Sequence, residues 1–235
     1  MLWFSSSNGL GKLVPKLRFP QFQGEWEDIS FSDLFEILSN NTLSRAELSE
    51  CGDIKNIHYG DVLIKYGDTL DITSMNIPFV NPLSGTKRND VFLSDGDVII
   101  ADTAEDETVG KSTEIYNVSD IKVVSGLHTI PCRPKLDFVS KYLGFYLNSP
   151  HFHRQLLSLM QGVKVLSISK SNIATTVIRY PTKQEQQKIA AFLTLLDKRI
   201  ARQRELVESL KLYKRGVLSA VFSRKICFKA TPHNH

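Results

Sequence analysis

At 235 residues, 42% of them hydrophobic, the chain has enough apolar material for one sizeable core plus an extension. Its three cysteines, Cys51, Cys132 and Cys227, are far apart and form no CxxC, so the pattern excludes a disulfide framework and a zinc ribbon and fits a reduced, cytoplasmic protein. The formal charge of +4 is unevenly spread: residues 1–121 hold nine basic and 20 acidic side chains, residues 122–182 eight and one, and residues 183–235 twelve and four.

Residues 1–13 lack the basic start, apolar run and cleavage site of a signal peptide and are too short to span a membrane, so they read as a loose leader. Pro15 to Trp26 is Pro-punctuated and extended, an arm laid over a core. A brief strand through Ile29 and Phe31 is predicted next, then a short helix capped by Ser32. Short β-branched runs predict strands at Asp61–Tyr66, Asp97–Ala101, Ile121–Val124, His128–Cys132, Val163–Ile168 and Thr175–Tyr180. The polar stretch from Gly67 to Asp90 reads as a long functional or disordered loop. Asp137 and Ser149, the latter followed by Pro150, are placed as N-caps of two helices. Residues 14–182 are therefore expected to form one mixed α/β (α+β) domain.

A single long helix is predicted from Thr182 to Phe222, with Pro181 ahead of it and a Thr182–Glu185 capping box. Ile189, Leu193, Leu196, Ile200, Gln203, Val207, Leu210, Lys214, Val217 and Val221 follow one another at alternating steps of four and three, the spacing of a coiled-coil seam. Forty residues at ~1.5 Å each make a rod of roughly 60 Å, too long to be core of its own chain. The expected organisation is a leader over 1–13, a domain over 14–182, a dimerisation and spacer helix over 183–226 and a tail over 227–235.

Catalytic chemistry has little support in the residues. No dinucleotide or P-loop pattern is present, and Gly110-Lys111-Ser112 lacks the upstream glycine. His151-x-His153 has no acidic or cysteine partner nearby for a metal. Asp102 with Asp120-Ile121-Lys122 has the loose outline of a Mg-dependent nuclease, but the same tripeptide recurs at Asp53-Ile54-Lys55. The expectation is a binder without catalytic, metal or cofactor residues. A basic region of this size fits a polyanion, with a solvated face as the plain alternative.

Several stretches carry a family likeness. PKLRFPQFQGEW, LSDGDVIIADTAEDETVGKS, GLHTIPCRP, QGVKVLSISKSNI and YPTKQEQQKIAAFLTLLDKRIARQRELVESLKLYKRGVLSAVF follow in the order found in specificity subunits of type I restriction–modification enzymes, which the chain resembles from Pro15 to Phe222. The most specific part is Pro181, Glu185, Gln186 and Ile189, continuing into Leu193, Leu196, Asp197 and Ile200. The resemblance implies a non-catalytic reader of double-stranded DNA that seats adenine methyltransferase subunits and endonuclease/translocase subunits. Such subunits usually hold two recognition domains and two antiparallel helices, whereas this chain shows one of each. It is thus expected to pair with a second copy through Ile189, Leu193, Leu196, Ile200, Gln203, Val207, Leu210, Val217 and Val221. The two copies together would read a split site, with Gln203 as a candidate register lock. A complementing or non-functional fragment and a coiled-coil scaffold without a DNA role are the alternatives.

For phosphate contact the candidates are Lys111, Lys164 and Lys170, at loop tips beside glycines or in the family-like segments. For base edges they are Lys65 and Tyr66 at an expected strand end, and Lys87, Arg88 and Asn89 in the long loop. His128 and Ser167 read as structural.

Overall fold

The computed structural model describes residues 4–5, 14–15, 18–74, 76–82 and 91–226, and the chain divides into two compact units, Met1–Ala190 and Ala191–His235. In the first unit, a short antiparallel ladder joins β1 (Phe4–Ser5) to β2 (Val14–Pro15), within and beside the stretch expected to be a loose leader. Next come β3 (Glu27–Ser30), α1 (Phe31–Leu34), β4 (Phe35–Ile37), a 3-10 turn at Arg45–Glu47, β5 (Leu48–Ser49), β6 (Ile54–Ile57) and α2 (Tyr59–Ile64). Then follow β7 (Thr69–Asp71), β8 (Phe79–Val80), β9 (Val98–Ala101), β10 (Thr103–Ala104), β11 (Ser112–Tyr116), β12 (Lys122–Ser125) and β13 (Thr129–Pro134). The domain closes with α3 (Tyr142–Leu147), α4 (Pro150–Leu157), β14 (Leu166–Ser167), α5 (Lys170–Ile173) and β15 (Val177–Tyr180). Helix α6 (Lys183–Phe222) is 40 residues long.

The central sheet has the order β4-β13-β9-β11-β7, antiparallel except for the β11/β7 pair. All four residues of β9 are buried, and the two-residue period of a strand sends them to opposite faces. Val98 and Ile100 enter a core with Phe31, Tyr142, Phe152, Leu156 and Ile178, while Ile99 and Ala101 enter another with Val62, Tyr66, Leu70, Ile72 and Ile115. A strand covered on both faces has no reason to alternate, which is why Val98–Ala101 is a continuous apolar run. A second sheet, ordered β12-β6-β8-β5, pairs β12 with β6 in parallel.

Several expected elements are corrected. Asp61–Tyr66 is not a strand: His58 accepts the Gly60 N–H at 3.2 Å and starts α2. The three-residue apolar run Val62-Leu63-Ile64 does not distinguish a buried helix from a buried strand. Ser30, not Ser32, caps α1, and the chain returns to a strand at Phe35. Of Val163–Ile168 only Leu166 and Ser167 are strand, because Val163 and Lys164 turn out into solvent.

Asp137 does not cap α3. It pairs with Lys183, and the carboxylate of Glu114 on β11 receives the N–H groups of Lys141 and Gly144 instead. Lys141, ahead of α3, sits at φ 76°, a left-handed conformation, with its ammonium 3.9 Å from the Tyr116 ring centre. Ser149 does cap α4, accepting the Phe152 N–H.

The charge division seen along the sequence is partly consumed inside the domain. Arg133 donates two hydrogen bonds, at 2.9 and 2.7 Å, to Asp97, which is buried. Arg179 forks onto Asp28, joining β15 to β3. In both cases a cation from the basic segment neutralises an acid from the acidic half, with the bidentate geometry that suits arginine.

The start of α6 is fixed to the domain in the same way. Glu185 gives both carboxylate oxygens to Arg18 of the N-terminal arm, at 2.7 and 2.6 Å, in place of the expected capping box. Gln186 donates to the Pro181 carbonyl at 2.9 Å and accepts the Val139 N–H at 3.1 Å. Glu185, Gln186 and Ala190 are all buried, so the start of α6 packs into the first unit.

Candidate nucleic-acid interface

Three segments converge beside the central strand. The chain leaving β9 runs through Asp102 into β10, which pairs antiparallel with β14, Thr103 opposite Ser167 and Ala104 opposite Leu166. The Asp102 N–H donates to the His128 carbonyl at 3.1 Å, and the Ile168 N–H donates to the Asp102 carbonyl at 2.8 Å. Gln161 and Ser167 close the third segment with reciprocal backbone hydrogen bonds at 2.9 and 2.8 Å, leaving residues 162–165 as a projecting tip.

The tip depends on Gly162. Its φ is +120°, and a Cβ there would lie 1.9 Å from the Val165 carbonyl oxygen, so only glycine fits. Val163 is 98% exposed at the apex, with Lys164 beside it. Three residues after Ser167, Lys170 opens α5, where Ser169 accepts the Asn172 N–H at 3.1 Å and Asn172 ties back to the Leu159 carbonyl. Lys164 and Lys170 therefore sit exposed on one braced knob, and among the described residues neither ammonium is engaged in an ion pair.

Next to the knob, Asp102 lies 3.3 Å from His128 Nδ1 and accepts the Thr103 hydroxyl at 2.8 Å. His128 has φ 54° and meets the Tyr59 ring edge-on at 5.2 Å. His58 lies beneath, its imidazole pKa held down by burial and by the Arg45 guanidinium. This polar group of Asp102, Thr103, His128 and Tyr59 was not foreseen as a unit. The sequence signal was a histidine directly after Gly126-Leu127, which can adopt a left-handed turn.

The other candidates fare differently. Lys65 is exposed, donating to the Asn76 carbonyl with its ammonium 5.5 Å from the Tyr66 ring centre. Tyr66 is 2% exposed and belongs to the core, where burial raises its phenol pKa; it cannot read a base edge. Lys111 is half-buried and donates to the Leu63 carbonyl at the end of α2, at 2.7 Å; burial lowers its pKa. Both were predicted from strand ends or loop tips that the fold turns inward. Lys87, Arg88 and Asn89 lie outside the described residues. Among the described residues no group of three or more His, Cys, Asp or Glu is placed to hold a metal.

On α6, four of the residues expected at the seam are exposed: Leu196, Ile200, Val207 and Leu210, at 39–56%. Gln203 is exposed between them, and Leu193, Val217 and Val221 are half-buried. Ile189 is different, since it packs against the core of its own domain.

Comparison with known proteins agrees with this architecture. The chain is 20% identical over 219 residues to a putative type I restriction enzyme MjaX specificity subunit of Methanocaldococcus jannaschii, covering 90% of this chain and 48% of that protein. It shares a fold with the type I restriction-modification S subunit from M. genitalium, at a TM-score of 0.56 and 17% identity, covering 89% of this chain and 48% of that one. A chain from a study of complex assembly and conformational transition in the type I R-M system gives a TM-score of 0.55 at 19% identity, covering 86% and 47%. The chain spans about half the length of the curated relative and of these solved chains. The family model of the type I restriction modification DNA specificity domain matches residues 23–212, and the chain belongs to that family.

Proposed function

We propose that this chain is a specificity subunit that reads one half of a bipartite DNA site with its single domain and pairs through α6 with a second copy. The pair would read an inverted repeat, as a two-fold dimer does. It performs no catalysis and takes no cofactor; it directs partner methyltransferase and endonuclease subunits in the cytoplasm. The observation that carries this reading is one domain with a Gly162-pinned basic tip, attached to a 40-residue helix on which Leu196, Ile200, Val207 and Leu210 are exposed. Among the described residues no helix is long and apolar enough to cross a membrane.

In this reading Lys164 and Lys170 position the DNA backbone. Lys164→Ala should weaken binding to every duplex alike and reduce the slope of log K against log salt by about one, whatever the sequence. Gel shifts at several salt concentrations measure both quantities. A change confined to one sequence would make Lys164 a base reader instead.

Methylome sequencing of cells carrying this chain with its methyltransferase partner tests the function as a whole. A symmetric, split adenine-methylation motif is the expected outcome. An asymmetric motif would show that the chain complements a different recognition domain, and no motif would remove the DNA role.

A further inference from the structure

The apolar stripe of α6 does not by itself fix how two copies would align, but the charges beside it do. From the four-three spacing, Leu193, Ile200, Val207 and Lys214 occupy heptad position a, and Leu196, Gln203, Leu210 and Val217 position d. Asp197, Arg204 and Lys211 fall at e, and Phe192, Arg199, Leu206 and Tyr213 at g. In an antiparallel pair a layers against d of the other helix, e faces e and g faces g. The possible registers then differ by whole heptads.

Resting on the homodimer reading above, we propose that two copies align with Ile200 of each opposite Gln203 of the other, the dyad falling between Ala201 and Arg202. Leu193 then meets Leu210 of the second copy and Leu196 meets Val207. Phe192 lies beside Tyr213. Asp197 faces Arg204 of the second copy, twice by symmetry. Glu208 is engaged by Lys211 of its own chain at 2.6 Å, whereas Asp197 and Arg204 form no ion pair within the chain among the described residues.

The neighbouring registers are worse. A slip that lengthens the dimer sets Arg204 against its own copy, although it gains an Asp197–Lys211 pair. Lys214 falls opposite an apolar residue in both alignments, Ile189 in the proposed one and Leu196 in the slipped one, and does not choose between them. The opposite slip sets Asp197 against Asp197 and Arg199 against Arg199. Gln203 packs on Ile200 in the proposed register, so it acts by tolerating the seam, with the flanking charges choosing the alignment.

Register fixes a length. Lys183 lies 18.5 residues from the proposed dyad, so the two helix starts stand roughly 56 Å apart at ~1.5 Å per residue. One heptad of slip changes that separation by about 10 Å, or about three base pairs at ~3.4 Å rise. Asp197 and Arg204 are thus spacer-determining residues.

The test is sedimentation equilibrium on the full chain. Asp197→Arg and Arg204→Asp should each weaken the dimer roughly tenfold, and the double reversal should return within about threefold of the unsubstituted chain. Arg204→Ala should also weaken it. A double reversal as weak as the single ones, or an Arg204→Ala dimer tighter than the parent, would overturn the register while leaving the homodimer standing. A parent chain that stays monomeric up to ~100 μM would instead overturn the homodimer, and the register with it.

Discussion

Lysine at both Leu196 and Leu210 should leave a monomer that binds DNA through one domain only. Each leucine removed from an apolar seam forfeits about 2 kcal/mol of burial, and the two-fold doubles that loss. The added ammonium groups would also have to be desolvated or splayed apart. Lysine is a good helix former, so α6 itself should persist, which circular dichroism can check. The consequence for DNA is larger than for either contact alone. Two half-sites held by one rigid dimer act at a high effective concentration, and losing the link should cost ~10²–10⁴ in affinity for the complete site. Affinity for an isolated half-site should stay within about threefold of the parent. Sedimentation together with gel shifts on one-half and two-half duplexes measures this, and an intact dimer carrying both lysines would rule out the seam as the interface.

The same helix shows why sequence pattern reached some features and not others. Thirty-three residues of unbroken spacing from Ile189 to Val221 leave little room for another structure, so α6 was readable to within a residue or two. Within the domain, the short elements depend on contacts that sequence does not display. Asp61–Ile64 becomes helical because His58 caps α2 and Asp61 pairs with Arg45 at 2.8 Å, a residue sixteen positions away. Ser112–Tyr116, a central-sheet strand beside β9, went unread because its buried members include Ser112, Thr113 and Glu114, which break the apolar pattern. Lys111 looked like a phosphate ligand for a related reason. A lysine after a glycine reads the same in sequence whether its ammonium meets solvent or the Leu63 carbonyl. Lys164 and Lys170 were legible as exposed, since Gly162 and Ser169 punctuate them locally.

Glu114 was invisible as a determinant in sequence, and it should govern how the fold responds to pH. It is 2% exposed, and burial raises its carboxyl pKa to about 7, against the opposing effect of the backbone N–H groups of Gly144, Lys141 and Leu143. An acid whose pKa is higher in the folded state binds its proton more tightly there. The stability it contributes is complete below the unfolded pKa near 4.5 and is lost as pH rises through about 7. A difference of that size corresponds to about 3 kcal/mol between the two ends of the window. Glu114→Gln removes the titration but offers only one acceptor to Lys141 and Gly144, leaving an amide N–H facing an NH₂ group at a cost of about 1–3 kcal/mol. At pH 5 the variant should therefore be the less stable protein. By pH 8 the parent has lost the Glu114 contribution, and the gap should close or invert. Urea melts of both chains at the two pH values isolate this group, because the remaining titrating side chains, His58 and His151 included, are common to both. A difference between parent and variant that stays constant from pH 5 to 8 would show that Glu114 holds the start of α3 as an ordinary ionised carboxylate.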